Sequence, residues 1–162
     1  MIGHRPLPKQ AALVLAAALY ACGGSAPEQL REARQGLSEA AWADVVAAAD
    51  AGLRAAPDPK TAWGLELARL EAHARSGDGD AAIRELEELA SLHPDRLPAA
   101  QYCATADQLH SAGNGAAAIQ VLDLGSKRHP GDATLARLLL ASRSADADPA
   151  ELEMLRSLGY IE

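Results

Sequence analysis

Histidines, Asp-x-Asp pairs and two cysteines are the side chains through which this 162-residue chain could do chemistry. His73, His93, His110 and His129 could ligate a metal or move a proton. A zinc site, however, is built from pairs of His or Cys ligands a few residues apart. Here His93 and His129 stand 36 residues apart, each directly before a proline, and His73 and His110 are spaced almost alike. Such recurrence marks a repeated structural position, so no metal is expected. Asp78-x-Asp80 and Asp146-x-Asp148 resemble the opening of a calcium loop, but neither continues to the loop's glycine and distal glutamate. Turn and capping roles account for both. The chain has no G-x-S-x-G, no phosphate-binding glycine loop and no H-E-x-x-H, and Glu87-Glu88 suits a solvated helix face. No catalytic residue and no cofactor follow, and the chain is not expected to be an enzyme.

Cys22 is different, because of what precedes it. Arg5 and Lys9 give a basic start, residues 11–19 are apolar, and Ala21 places a small side chain before the cysteine. That order is a secretion signal with a cleavage site, and the apolar run is too short to span a bilayer. Leu19-Tyr20-Ala21-Cys22 resembles the lipobox of bacterial lipoproteins, with Tyr20 where small or β-branched residues are commoner. The resemblance implies that residues 1–21 are removed and that Cys22 is acylated at the new N-terminus. Each buried methylene of an acyl chain contributes about 0.8 kcal/mol, so several chains hold a protein stably. Gly23, rather than Asp, follows the cysteine, which implies the periplasmic face of the outer membrane.

Removal of Arg5 and Lys9 takes the formal charge from −7 to −9. A chain this acidic is expected to be repelled by nucleic-acid phosphates and by anionic lipid surfaces, so no nucleic-acid partner is expected. With Cys22 acylated, Cys103 is the single remaining thiol. It lies in an apolar helical stretch and reads as a buried structural cysteine.

The elements that must carry these residues are helices. The chain has no Phe, few aromatics and abundant Ala and Leu, a composition for helices packed closely through small side chains. Gly77-Asp78-Gly79-Asp80-Ala81-Ala82-Ile83 is matched 36 residues on by Gly113-Asn114-Gly115-Ala116-Ala117-Ala118-Ile119, and His93-Pro94 by His129-Pro130. A more degenerate copy ends at Ala56-Pro57. Gly77 and Gly113 predict left-handed helix ends, followed by Asp78 and Asn114 as caps. Ile83, Leu86, Leu89 and Ala90 predict an apolar face, as do Ile119, Leu122 and Gly125 with Val121 on the flank. Pro94 and Pro130 stop these helices, and Asp58-Pro59 and Gly131-Asp132 start the next ones.

A helix, turn, helix, proline period of this length resembles the tetratricopeptide repeat family. The match covers about residues 27–142 and is best in the second helices: Trp42, Val45, Ala49, Gly52 and Pro57, then the sets around Ile83 and Ile119. The first helices lack most of the family's signature, and Tyr102 and Ala106 are its clearest remnants. The resemblance implies an all-α fold, a right-handed solenoid of about three helical hairpins. Residues 22–26 serve as a tether and 143–148 as a polar linker. Residues 149–162 are predicted to form a capping helix and tail, opened by the Asp148-Pro149-Ala150-Glu151 cap, with Leu152, Leu155 and Leu158 along one face.

In tetratricopeptide-like proteins the concave groove is lined ahead of each turn glycine. Carried over to this chain, that position holds Glu71 and Arg75 before Gly77, and Asp107, His110 and Ser111 before Gly113. The implied function is a lipid-anchored envelope protein that binds a protein or peptide partner, as an interaction module or an accessory subunit of a complex. A structural or carrier lipoprotein with a small ligand in a helical cavity is the alternative, and the many small residues argue against the room it needs. Trp42 is expected in the core, and Trp63 fits either core or interface.

Overall fold

Residues 24–146, described by a computed structural model, form α1 (Ala26–Glu39), α2 (Trp42–Arg54), α3 (Pro59–Ser76), α4 (Gly79–Leu92), α5 (Ala99–Ser111), α6 (Gly115–Arg128) and α7 (Ala133–Asp146), with no strand among them. The signal segment expected at 1–21, Cys22 and the capping helix expected at 149–162 lie outside the described residues. None of the described helices is long and apolar enough to cross a membrane.

The helices pair as antiparallel hairpins, α1–α2, α3–α4 and α5–α6. The first helix of each hairpin also packs on the first helix of the next, α1 on α3, α3 on α5 and α5 on α7. This is a helical-hairpin solenoid, with α7 as the leading helix after the third hairpin. Its second helices approach the following hairpin unequally. α2 packs along α3 and α6 along α7, whereas α4 and α5 are kept apart and joined by the six-residue link 93–98.

Local chemistry explains where the helices begin and end. The Glu28 carboxylate accepts from the backbone N–H and the hydroxyl of Ser25, at 2.7 and 2.9 Å, and Pro27 preorganises the first turn of α1. Asp58 caps α3 through the N–H groups of Lys60 and Thr61, and Asp132 caps α7 through Thr134 and Leu135. Gly77 and Gly113 take φ of 79° and 85°, as their turns require. Asp78 and Asn114 then accept from the N–H of Ala81 and Ala117. Asn114 also donates from Nδ2 to the Gly77 carbonyl at 3.0 Å, which links successive turns.

Two apolar clusters fill the stack. The smaller joins α1, α2 and α3 through Ala33, Val45, Ala48, Ala68 and Ala72. The larger runs from α3 to α7, with Leu70, Leu86, Leu89, Tyr102, Leu109, Val121 and Leu135 at its centre. Three expectations need correction. Val121 is fully buried rather than flanking, because α6 lies between α5 and α7 and is covered on two sides. Ala26 belongs to α1 rather than to the tether, since the Ser25–Glu28 cap starts the helix there. Residues 143–146 are helical rather than linker: no Gly or Pro interrupts them, and Ser144 satisfies its hydroxyl on the Leu140 carbonyl.

Candidate functional site

The groove residues expected before the turn glycines are only partly brought together. Arg75, on the last turn of α3, pairs with Glu71 one turn earlier at 2.8 Å. Its guanidinium also lies over the Trp42 ring, 5.9 Å from the centroid. Arg75 and Trp42 form one wall of an open cleft, and Asp107, Gln108 and Ser111 of α5, with Ala112 just after it, form the other. The cleft encloses about 350 Å³. It therefore offers a cation, a carboxylate, a hydroxyl and an aromatic face side by side. Trp42 is half-buried against the smaller cluster, so one part of its ring packs and another faces the cleft.

His110 is not in that cleft. It faces the interval between α5 and α7, with Cys103, Asp107, Ala118, Leu138 and Ser142 around a space of about 180 Å³. Asp107 borders both clefts. Cys103 is half-buried rather than buried, and burial, with Asp132 nearby, pushes its thiol above the usual range. It is thus a poor nucleophile.

The helix-ending histidines have packing partners. His93 meets Trp63 edge-on, with ring centroids 5.3 Å apart, and its Nε2 is 3.5 Å from Glu66. Arg96 covers the same indole at 4.5 Å, so Trp63 is half-buried beneath the 93–98 link. His129 meets Tyr102 edge-on at 5.7 Å and bonds through Nε2 to the Leu97 carbonyl at 3.1 Å. The recurrence of His-Pro thus reports a recurring contact with the first helix of the same hairpin.

The strongest electrostatic feature was not anticipated from the sequence. Arg69 of α3 donates to Asp50 of α2 at 2.8 Å and to Glu85 of α4 at 2.9 Å, joining three helices. Glu85 is buried, and burial raises its carboxyl above the usual range despite the bond from Arg69. Burial alone would lower Arg69; the bonds it donates to Glu85 and Asp50 outweigh that effect and raise the guanidinium further. The sequence does carry a signal: Glu85 interrupts the stripe of Ala82, Leu86 and Leu89. The arrangement is a brace between hairpins, with Glu85 buried at its inner end, Arg69 half-buried and Asp50 exposed at its outer end.

A cleft of about 510 Å³ opens where α4 stands away from α5 and is lined by Leu86, Ala90, Tyr102, Leu124, Lys127 and Arg128. Arg128 spans it to the Ala90 carbonyl. No family model, characterised protein or solved structure matches the chain.

Proposed function

We propose that the chain is a lipid-anchored protein of the bacterial cell envelope, with a tetratricopeptide-like solenoid that binds a protein or peptide partner. The anchor reading rests on the charged start, the apolar run and Leu19-Tyr20-Ala21-Cys22. The partner reading is carried by one observation: Trp42, Arg75, Asp107 and Ser111, from three helices, border one open cleft. Trp and Arg side by side in a partly desolvated position are the residue types that dominate binding energy at interfaces. A peptide side chain seated there would stack on Trp42, while Arg75 and Asp107 would fix its polar ends.

The test is crosslinking in the native envelope, followed by identification of what is caught. Proteins captured by the parent chain should be lost when Arg75→Glu and Asp107→Lys reverse the two walls of the cleft. Capture of the same set by the doubly reversed chain, with its helical signal intact, would sink the assignment.

A further inference from the structure

Of the first helices, α7 alone has no hairpin partner among the described residues. Its inner face packs on α5 and α6 through Leu135, Leu138 and Leu139. The opposite face leaves Ala133, Ala136 and Leu140 exposed.

In the first and third hairpins one pair of positions meets in the same register. Gly52 stands eleven residues after the α2 cap Ala41. A Cβ built there would come 3.0 Å from Cβ of Gln29, four residues after the α1 cap Ser25. Gly125 likewise stands eleven residues after the α6 cap Asn114. Its added Cβ would come 2.8 Å from Cβ of Tyr102, four residues after the α5 cap Pro98. In α7 the fourth residue after the Asp132 cap is Ala136.

The sequence after α7 repeats the second-helix pattern. Asp148-Pro149 supplies a cap two residues after Asp146, the interval of the turns Ala40-Ala41 and Gly77-Asp78. A connection that short makes its two helices antiparallel neighbours. Counted from Asp148, Leu152 and Leu155 fall where α2 buries Val45 and Ala48, and where α6 buries Ala118 and Val121. Gly159 falls eleven residues after Asp148, at the position of Gly52 and Gly125. Arg156 takes the place of Leu122, which lines the interval between α5 and α7. The side that would face a further hairpin is therefore polar, as the outer face of a terminal repeat must be.

We propose that residues 149–162 cover the outward face of α7 as the second helix of a fourth hairpin, with Gly159 seated against Ala136. The occupant of that face is this chain's own segment rather than a second copy or a partner. The Trp42–Arg75–Asp107 cleft is built by α2, α3 and α5, so it stays open when α7 is covered.

The test uses the full chain in a Cys103→Ala background. Ala136→Cys places a thiol at the seat, where it is smaller than the Tyr102 that Gly125 meets. Ala104→Cys, as the comparison, places one at an exposed position of α5. Reaction with iodoacetamide is followed by peptide mass at each position, so that no other thiol counts. Position 136 should react at least about tenfold more slowly than 104, because its rate is set by local opening. Gly159→Leu, and separately Leu152→Asp with Leu155→Asp, should raise it to the rate at 104. Circular dichroism establishes that each variant keeps its helices. Equal rates at 104 and 136 in the chain that retains Gly159 would overturn the proposal. Protection that survives Gly159→Leu would overturn it too. Protection lost on dilution would assign the face to a second copy instead.

Discussion

Leu89 in α4 occupies the position that Gly125 holds in α6, and the two residues set different distances to the neighbouring helices. A Cβ built on Gly125 would stand 2.8 Å from Cβ of Tyr102 and 3.0 Å from a methyl of Leu135, so α6 seats tightly between α5 and α7. Gly52 does the same in α2, where an added Cβ would come 2.7 Å from Leu65. Leu89 fills the corresponding space with a buried isobutyl group, α4 stands off α5, and the cleft of about 510 Å³ opens beside it.

Gly125→Ala is therefore expected to overpack a closed seam and to cost about 1–3 kcal/mol. Leu89→Ala should cost about 2–5 kcal/mol through lost burial and an unfilled cavity. Urea unfolding of both variants checks the pair. A Gly125→Ala protein as stable as the parent would mean that α5, α6 and α7 do not approach this closely.

Two alanines stand where glycine would be expected. Ala40, which ends α1, has φ of 56°, and Ala56 has φ of 50°. A side chain in the left-handed region costs roughly 1–2 kcal/mol. Ala40→Gly should thus raise stability by about 1 kcal/mol, while Gly113→Ala, in open space but at φ of 85°, should lower it by a similar amount. Opposite shifts in the thermal midpoint are the expected result.

The Arg69 brace gives a third expectation. Arg69→Ala leaves Glu85 buried without its partner and should cost roughly 2–4 kcal/mol, somewhat less than a fully buried pair because Asp50 is solvent-exposed. Arg69→Met combined with Glu85→Leu removes both charges and should recover most of that loss. A double variant as unstable as Arg69→Ala would show that the bonds, rather than the stranded charge, carry the effect.

Burial holds the His73 imidazole below its usual range, with Asp78 opposing. In the unfolded chain the ring takes up its proton near the ordinary value of about 6.5. Its stabilising contribution is therefore full above that value and is lost as pH falls through the lower folded value. Between about pH 7.5 and about pH 5 the parent chain should lose more stability than His73→Gln. Equal losses in urea titrations at the two pH values would contradict the assignment.

What the sequence made legible was local. Gly77 and Gly113, the caps at Asp58, Asp78, Asn114 and Asp132, and the His-Pro stops each depend on a few neighbouring residues, and α3 to α7 each begin or end on such a signal. The cleft was half legible. Arg75, Asp107 and Ser111 share it because they face the same way at the ends of α3 and α5. His110 does not, since adjacent residues on a helix are turned about 100° from one another. Trp42 enters from α2, a contribution that spacing before the turn glycines does not reveal. The Arg69 brace was illegible for a related reason: its partners lie 19 and 16 residues away, on two other helices. The continuation of α7 through 143–146 was masked by polar composition, although Ala, Ser and Arg are all compatible with a helix.

The account turns on how the chain is held, and the mass of the mature N-terminus tests that most directly. Protein purified from the membrane fraction should begin at Cys22, lack residues 1–21 and carry the added mass of acyl chains on that residue. Processing should stop in cells treated with an inhibitor of lipoprotein signal peptidase. A mature chain that retains residue 21, or that begins at an unmodified Cys22, would contradict the anchor.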